Sequence, residues 1–393
     1  MKLRSVREAE VKGRKVLVRA DFNVPLASGQ VADDFRIRAT LPTLNWLRER
    51  GAKVAICAHL GRPKGKVVPE LSLAPVARRL GELLGTEVPL VPDCIGSEVE
   101  QAVAGLAEGE VVLLENVRFH PGEEENDPEF ARSLAAPFDL YVNDAFGAAH
   151  RAHASTEGVT RFLPSYAGLL LEREVEVLTA ITENPRRPYY ILVGGKKAKD
   201  KLGVLTDLLP RVDGFLIGGG VAFTFLAAQG KSVGSSIVDQ DLIPTIKEII
   251  DRASREGKEI LLPRDVVAAR QLSQDAETRT LPADSIPEGW MGLDIGPETV
   301  AAFSEVISRA GTVVWAGPMG AFEYAPFSSG TERIAQALAA SPAFTVVGGG
   351  ETGEAVVKLG LEEKFSHLST GGGATLAFLR GKPMPPLEAL RAD

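Results

Sequence analysis

Arginine and histidine gather in the loops that follow four short apolar runs in the first half of this chain. After residues 16–19 come Arg19, Asp21 and Asn23, then Arg36 and Arg38. After 53–58 come His59, Arg62 and Lys64; after 111–114, Glu115, Asn116, Arg118 and His120; after 140–142, Asn143, Asp144, His150, Arg151 and His153. Four of the five histidines fall in these loops. Guanidinium forks match carboxylate and phosphate oxygens two at a time, so loops converging with such residues would hold a small polyanion. Asp21 and Asn23 would orient a substrate hydroxyl or the arginines themselves. Any one of these arginines could equally be a solvated surface group or half of an ion pair. Four loops, each following a strand, argue against that for the set. A metal site built from His59, His150 and His153 competes, but the neighbouring arginines would repel a cation and no short-spaced carboxylate–histidine set accompanies them. Cys57 and Cys94 lack metal-ligand spacing and are too few for a disulfide framework, which implies a reducing compartment.

The second half offers glycine and lysine instead. Gly194, Gly195, Lys196, Lys197, Lys199 and Lys201 follow one strand-like run, and Gly218, Gly219 and Gly220 the next. Gly348, Gly349 and Gly350 open a helix-like segment with Glu351 and Thr352; Gly371, Gly372 and Gly373 precede the last one. Glycine lets backbone N–H groups approach phosphate oxygens, and a helix N-terminus adds a favourable dipole. One triplet would mark only a tight turn; three with a lysine cluster predict a nucleoside triphosphate site. GxxxxGK[ST] is absent, so the site is not a P-loop, and GxGxxG is not completed after Gly220. An anion site in one half and a nucleotide site in the other predict transfer between two bound anions, as a kinase requires.

The elements that must position these residues follow a repeating grammar. Strand-like runs at 16–19, 53–58, 111–114 and 140–142 alternate with helical spacing at 36–50, 73–84 and 128–135. The pattern restarts with runs at 189–193, 214–217, 260–262, 312–315 and 344–347, and helical segments at 206–209, 221–228, 243–255, 332–339 and 352–359. Such β-α-β units with apolar strands predict an α/β fold with parallel sheets covered on both faces. The expected architecture is two doubly wound, Rossmann-like parallel-sheet domains, 1–168 and 185–380. A long helix over 169–184 would join them as a hinge, ending where Pro185 and Pro188 disfavour further helix.

Composition sets outer limits. The chain has 393 residues, 44 Lys+Arg against 52 Asp+Glu, and a net charge of −8. That length predicts more than one domain. The acid excess argues against nucleic acid as partner, since sequence-independent binding needs a broad basic face. The N-terminus has no apolar secretory core, and no apolar stretch is long enough to span a membrane, so a cytoplasmic location is expected.

In order along the chain, Arg-Ala-Asp-Phe-Asn-Val-Pro (19–25), His-Leu-Gly-Arg-Pro (59–63), Leu-Glu-Asn-Val-Arg-Phe-His (114–120), Ala-Phe-Gly-Ala-Ala-His-Arg-Ala-His (145–153), Gly-Trp-Met-Gly-Leu-Asp-Ile-Gly-Pro (289–297) and Ser-Thr-Gly-Gly-Gly-Ala (369–374) resemble the signatures of the phosphoglycerate kinases. The resemblance spans essentially the whole chain. It implies reversible phosphoryl transfer between 1,3-bisphosphoglycerate and ADP, giving 3-phosphoglycerate and ATP in glycolysis, with Mg²⁺ on the nucleotide and a monomeric protein.

By position, the resemblance assigns Asp21, Asn23, Arg36, His59, Arg62, Arg118 and Arg151 to the phosphoglycerate. It assigns Arg36, Lys197, Gly350 and Gly373 to the transferring phosphoryl group. Gly195, Lys197, Lys201, Gly219, Glu323, Gly349, Gly350, Glu351 and Thr352 fall to the nucleotide, with Glu351 toward its metal. A C-terminal tail over 381–393 would pack back on the first domain. The chain departs from the family pattern at Glu351 (usually Asp), Ala316 (usually Asn), Arg270 (usually Asp) and Ala377 (usually Glu). These departures raise the alternative of a phosphoglycerate-binding homologue with impaired or lost kinase activity.

Overall fold

Runs such as Val111–Leu114 and Tyr189–Val193 are apolar on both pleat faces, which suits strands buried from both sides. In the computed structural model, which describes residues 1–348 and 350–392, these strands build two separate parallel sheets. The chain divides into two compact units, Met1–Thr179 together with the C-terminal residues from Lys382, and Ala180–Gly381. The two Rossmann-like parallel-sheet domains expected from the sequence are present.

The six-stranded sheet of the first unit runs Leu90–Val91, Val111–Leu114, Lys53–Cys57, Lys15–Arg19, Leu140–Asn143, Ser165–Ala167, with parallel pairing throughout. Its two faces feed two cores. Val16, Val18, Val54 and Ile56 pack on one side; Leu17, Ala55 and Cys57 pack on the other. The chain turns from one half of the sheet to the other between Lys15–Arg19 and Leu140–Asn143. Ligands of open parallel sheets bind at such a switch, beyond the strand carboxyl ends.

The second unit repeats the plan with Glu259–Leu261, Gly214–Ile217, Tyr189–Val193, Thr312–Ala316, Phe344–Gly348 and His367–Ser369. Here the switch lies between Tyr189–Val193 and Thr312–Ala316. An antiparallel sheet of Arg279–Pro282, Asp265–Ala269 and Met291–Ile295 is added to this unit and was not expected. Arg279–Pro282 is largely exposed and so lacks an apolar run.

The expected helices Phe35–Glu49, Ala74–Leu84, Ser329–Ala340 and Gly350–Lys358 occur with shifts of one to three residues, while the one expected over 206–209 is Leu202–Leu208, four residues earlier at its start. Helices Ser97–Gly105 and Pro297–Arg309 had not been foreseen. Helix Leu169–Glu183 starts on side-chain acceptors from elsewhere in the first unit. Leu169 N–H donates to Thr43 Oγ1 at 2.9 Å, and Leu170 and Leu171 N–H donate to Asp144 Oδ1 at 3.0 and 3.1 Å. The division between the units falls inside this helix. The C-terminal residues lie along the N-terminus: Arg4 N–H donates to Leu390 O at 2.9 Å, Ala392 N–H to Lys2 O at 2.9 Å, and Leu387 and Leu390 are fully buried. None of the helices among the described residues is long and apolar enough to cross a membrane.

Candidate functional site

In the first unit, the loop after Lys15–Arg19 supplies an acidic anchor. Asp21 is buried, and the Arg36 guanidinium, from the first turn of Phe35–Glu49, reaches its carboxylate at 3.3 Å and Asn23 O at 3.0 Å. Asn23 Oδ1 accepts from Gly61 N–H at 2.9 Å, while Arg118 Nη1 donates to Gly61 O at 3.0 Å. Gly61 of the His59–Arg62 loop is thus held at its N–H and its carbonyl from two neighbouring loops. Gly61 has φ +64°, and a Cβ there would come within 2.7 Å of Leu71, so glycine is required.

The cationic side chains also feel one another. His59 is held well below its usual pKa, first by burial and then by Arg19, Arg118, Arg36 and His153. His153 is lowered to about 4 by burial and by Arg118, Arg19, Arg151 and His150. Arg118 is lowered by its own burial, with Arg19 and Arg151 opposing its charge and Glu124 supporting it. Arg19, Arg36 and Arg118 thus all act on His59, and Arg151 acts on His153 and Arg118. Arg62 and Arg151 are exposed. Neutral histidines beside guanidinium groups make a site that accepts anions and repels cations. The competing reading of a metal on His59, His150 and His153 finds no support: among the described residues the one group close enough to share an ion lies elsewhere.

Sequence reasoning missed the buried support. Arg19 has no solvent exposure; its Nε donates to Ser155 Oγ at 2.7 Å, and its Nη2 lies 3.1 Å from His59 Nδ1. Ser155 in turn donates to Glu123, from Oγ at 2.6 Å and from N at 2.9 Å. Because Arg19 can only donate, His59 Nδ1 accepts, leaving its hydrogen on Nε2. A buried acid two residues after a proline carries no pattern that would have singled out Glu123.

In the second unit the glycine loops meet backbone to backbone. Gly195 N–H donates to Pro318 O at 2.9 Å, Gly194 N–H to Ala316 O at 3.0 Å, and Gly219 N–H to Met319 O at 3.0 Å. A Cβ on Gly219 would lie 2.7 Å from Gly195 O, so the contact excludes any side chain. Thr352 Oγ1 accepts from Gly317 N–H at 2.8 Å, tying the start of Gly350–Lys358 to the loop after Thr312–Ala316.

Lys201 is lowered by burial and supported by Glu351 first and Asp200 second, which brings Glu351 to the lysine loop. Lys197, Glu323 and Glu351 are exposed, and Gly373 opens helix Gly373–Leu379. Gly349, also assigned to the nucleotide, lies outside the described residues. Ala316 is buried at the strand end. Arg270 stands over the Trp290 ring at 5.1 Å beside Arg279 at 4.7 Å, a cation–π stack.

A family model described as phosphoglycerate kinase matches residues 6–382. A phosphoglycerate kinase of Moorella thermoacetica is 53% identical over 386 residues, covering 98% of each chain. A cytosolic phosphoglycerate kinase of Triticum aestivum is 53% identical over 388 residues, covering 98% of this chain and 96% of its own. Among solved structures, phosphoglycerate kinase from Coxiella burnetii aligns with a TM-score of 0.85 at 41% identity, covering 99% of this chain and 98% of its own.

Proposed function

The chain belongs to the phosphoglycerate kinase family, and from that premise we propose that it transfers a phosphoryl group reversibly between 1,3-bisphosphoglycerate and ADP, giving 3-phosphoglycerate and ATP. The observation that carries the triose half is the loop geometry around Asp21: Arg36 is held on Asp21 and Asn23, and Asn23 and Arg118 grip Gly61. Phosphoryl transfer demands positioning and charge neutralisation more than covalent help. Asp21 and Asn23 hold Arg36 and the Gly61 loop in place. Arg62, Arg118, Arg151 and the His59 Nε2–H take the phosphate and carboxylate of the triose. Arg36 adds charge to the oxygens of the transferring group.

On the nucleotide side, Gly195, Gly219, Gly350 and Gly373 would offer N–H groups to phosphate, Lys197 and Lys201 would neutralise it, Glu323 would take the ribose, and Thr352 would fix the start of its helix. The donor set fits Mg²⁺ carried by the nucleotide: one exposed carboxylate, Glu351, stands beside a phosphate-type lysine loop. Mg²⁺ takes few protein ligands and keeps its waters and substrate oxygens. When bound it would neutralise charge on the phosphates. Transfer also needs water excluded, which domain closure achieves; helix Leu169–Glu183 is the proposed hinge. A monomer in the cytoplasm completes the reading.

The test is a coupled assay of ADP formation from ATP. We expect turnover that depends on 3-phosphoglycerate and Mg²⁺, and Arg36→Ala should lower kcat by on the order of 10²-fold or more with unchanged circular dichroism. Absence of turnover in the folded protein, or an unchanged kcat in the variant, refutes the assignment.

A further inference from the structure

His120, Asp93 and Cys94 bring an imidazole, a carboxylate and a thiol together in the first unit. Asp93 and Cys94 follow strand Leu90–Val91. His120 follows the turn Val117–Phe119 beyond the neighbouring parallel strand Val111–Leu114. Parallel pairing puts both loops at the same sheet edge. One ligand atom from each of the three residues lies within 4.8 Å of the others. His120 Nε2 is 2.7 Å from Asp93 Oδ1, and Cys94 N–H donates to the same oxygen at 2.6 Å. The His120 ring stacks on Phe130 with centroids 5.2 Å apart, which fixes its orientation. Cys94 is buried, while the side chains of Asp93 and His120 are 43% and 29% exposed. The cluster is walled on one side and open on the other.

We propose that Asp93, Cys94 and His120 form a site for a borderline-soft divalent cation of the zinc type, with water in the fourth position. Nitrogen, sulfur and oxygen ligands with one open position are a recurring zinc donor set. The charges suit it. Beside burial, the largest influences on the Cys94 thiol come from Asp93, Cys57 and Glu123, whereas the largest on His59 and His153 come from arginines. On binding, the Cys94 S–H proton leaves to solvent and an S–metal bond forms. The neutral imidazole keeps its one hydrogen, moved to Nδ1, and gives the Nε2 lone pair. Thiolate and carboxylate together cancel the dication, so a buried net charge is avoided. Only the thiolate binds, so a metal must displace the thiol proton, and binding will strengthen as pH rises. The spacing of these residues in sequence hid the set, because Cys94 and His120 meet only through strand pairing.

Titrating the full-length protein with Co²⁺ tests this. One equivalent should produce a thiolate-to-cobalt charge-transfer band with intense tetrahedral d–d bands, displaced by Zn²⁺. Excess Zn²⁺ should raise the midpoint of thermal unfolding. Cys94→Ser should remove the charge-transfer band; Asp93→Asn and His120→Gln, both partly exposed and conservative, should weaken Co²⁺ binding by on the order of tenfold or more. Cys57→Ala should leave the spectrum unchanged. A missing band, a band lost in Cys57→Ala but kept in Cys94→Ser, or unaltered binding in both exposed variants overturns the proposal.

Discussion

A guanidinium removed from water needs an acceptor for its donors and a counter-charge within reach, and Arg19 obtains these through Ser155, Ala20, His59 and, beyond Ser155, Glu123. Glu123 is itself fully buried and raised by burial, with Arg19 the largest opposing influence. The two charges are affordable only together. Glu123→Gln keeps the shape and one of the two acceptors for Ser155 but leaves Arg19 without its counter-charge. It should cost about 3 kcal/mol of stability, read as a lower urea midpoint with unchanged slope. A midpoint equal to wild type would mean that the charge is balanced elsewhere. His59 depends on the same network for its tautomer, so the variant should also raise KM for 3-phosphoglycerate.

At the scale of elements, Asp144 ends the loop side of strand Leu140–Asn143 and caps helix Leu169–Glu183 with one oxygen. Burial pushes its pKa from 3.8 up to about 7. The folded state therefore holds a proton that the unfolded chain has released over that interval. The stabilisation this gives is complete below the unfolded value and is lost as pH rises through 7. His153, lowered to about 4, acts oppositely: its contribution is present above 6.5 and lost as pH falls. Asp144→Asn keeps the capping oxygen and removes only the titration. The stability of wild type relative to this variant should fall by about 2 kcal/mol between about pH 5 and pH 8, measured by urea unfolding at each pH; a constant difference would place the Asp144 pKa at its ordinary value.

The same elements explain what could be read in advance. Val111–Leu114, Tyr189–Val193 and Gly214–Ile217 match their expected bounds because both faces are apolar. Leu90–Val91 and Ser165–Ala167 are too short to leave a pattern. Arg36 and Arg118 stand out in the sequence because they follow strands, whereas Arg19, Glu123 and Asp144 owe their meaning to partners up to 136 residues away, as with Arg19 and Ser155. Arg270, a departure from the family pattern, takes its place from Trp290, which no local spacing links to it.

For the whole molecule, the consequence lies in how the chain closes the first unit. Its sheet and both cores come from residues before Thr179, yet Leu387 and Leu390 are fully buried and Met384 nearly so, from the other end of the chain. Arg4 and Ala392 add backbone bonds across the chain termini, with Arg4 Nη2 also donating to Ala389 O at 2.7 Å. Burying a leucine or methionine contributes about 1.5–3 kcal/mol each, so three together are comparable to a large part of a domain's usual stability. The tail belongs to the first unit's packing although the second unit precedes it in sequence. Truncation after Gly381 should therefore lower hydrogen-exchange protection in Lys15–Arg19 and Leu140–Asn143 by several kcal/mol-equivalents and leave Tyr189–Val193 and Thr312–Ala316 protected as before. Equal loss in both sheets would show that the tail stabilises the molecule globally, and no loss in the first would show that its buried leucines are dispensable.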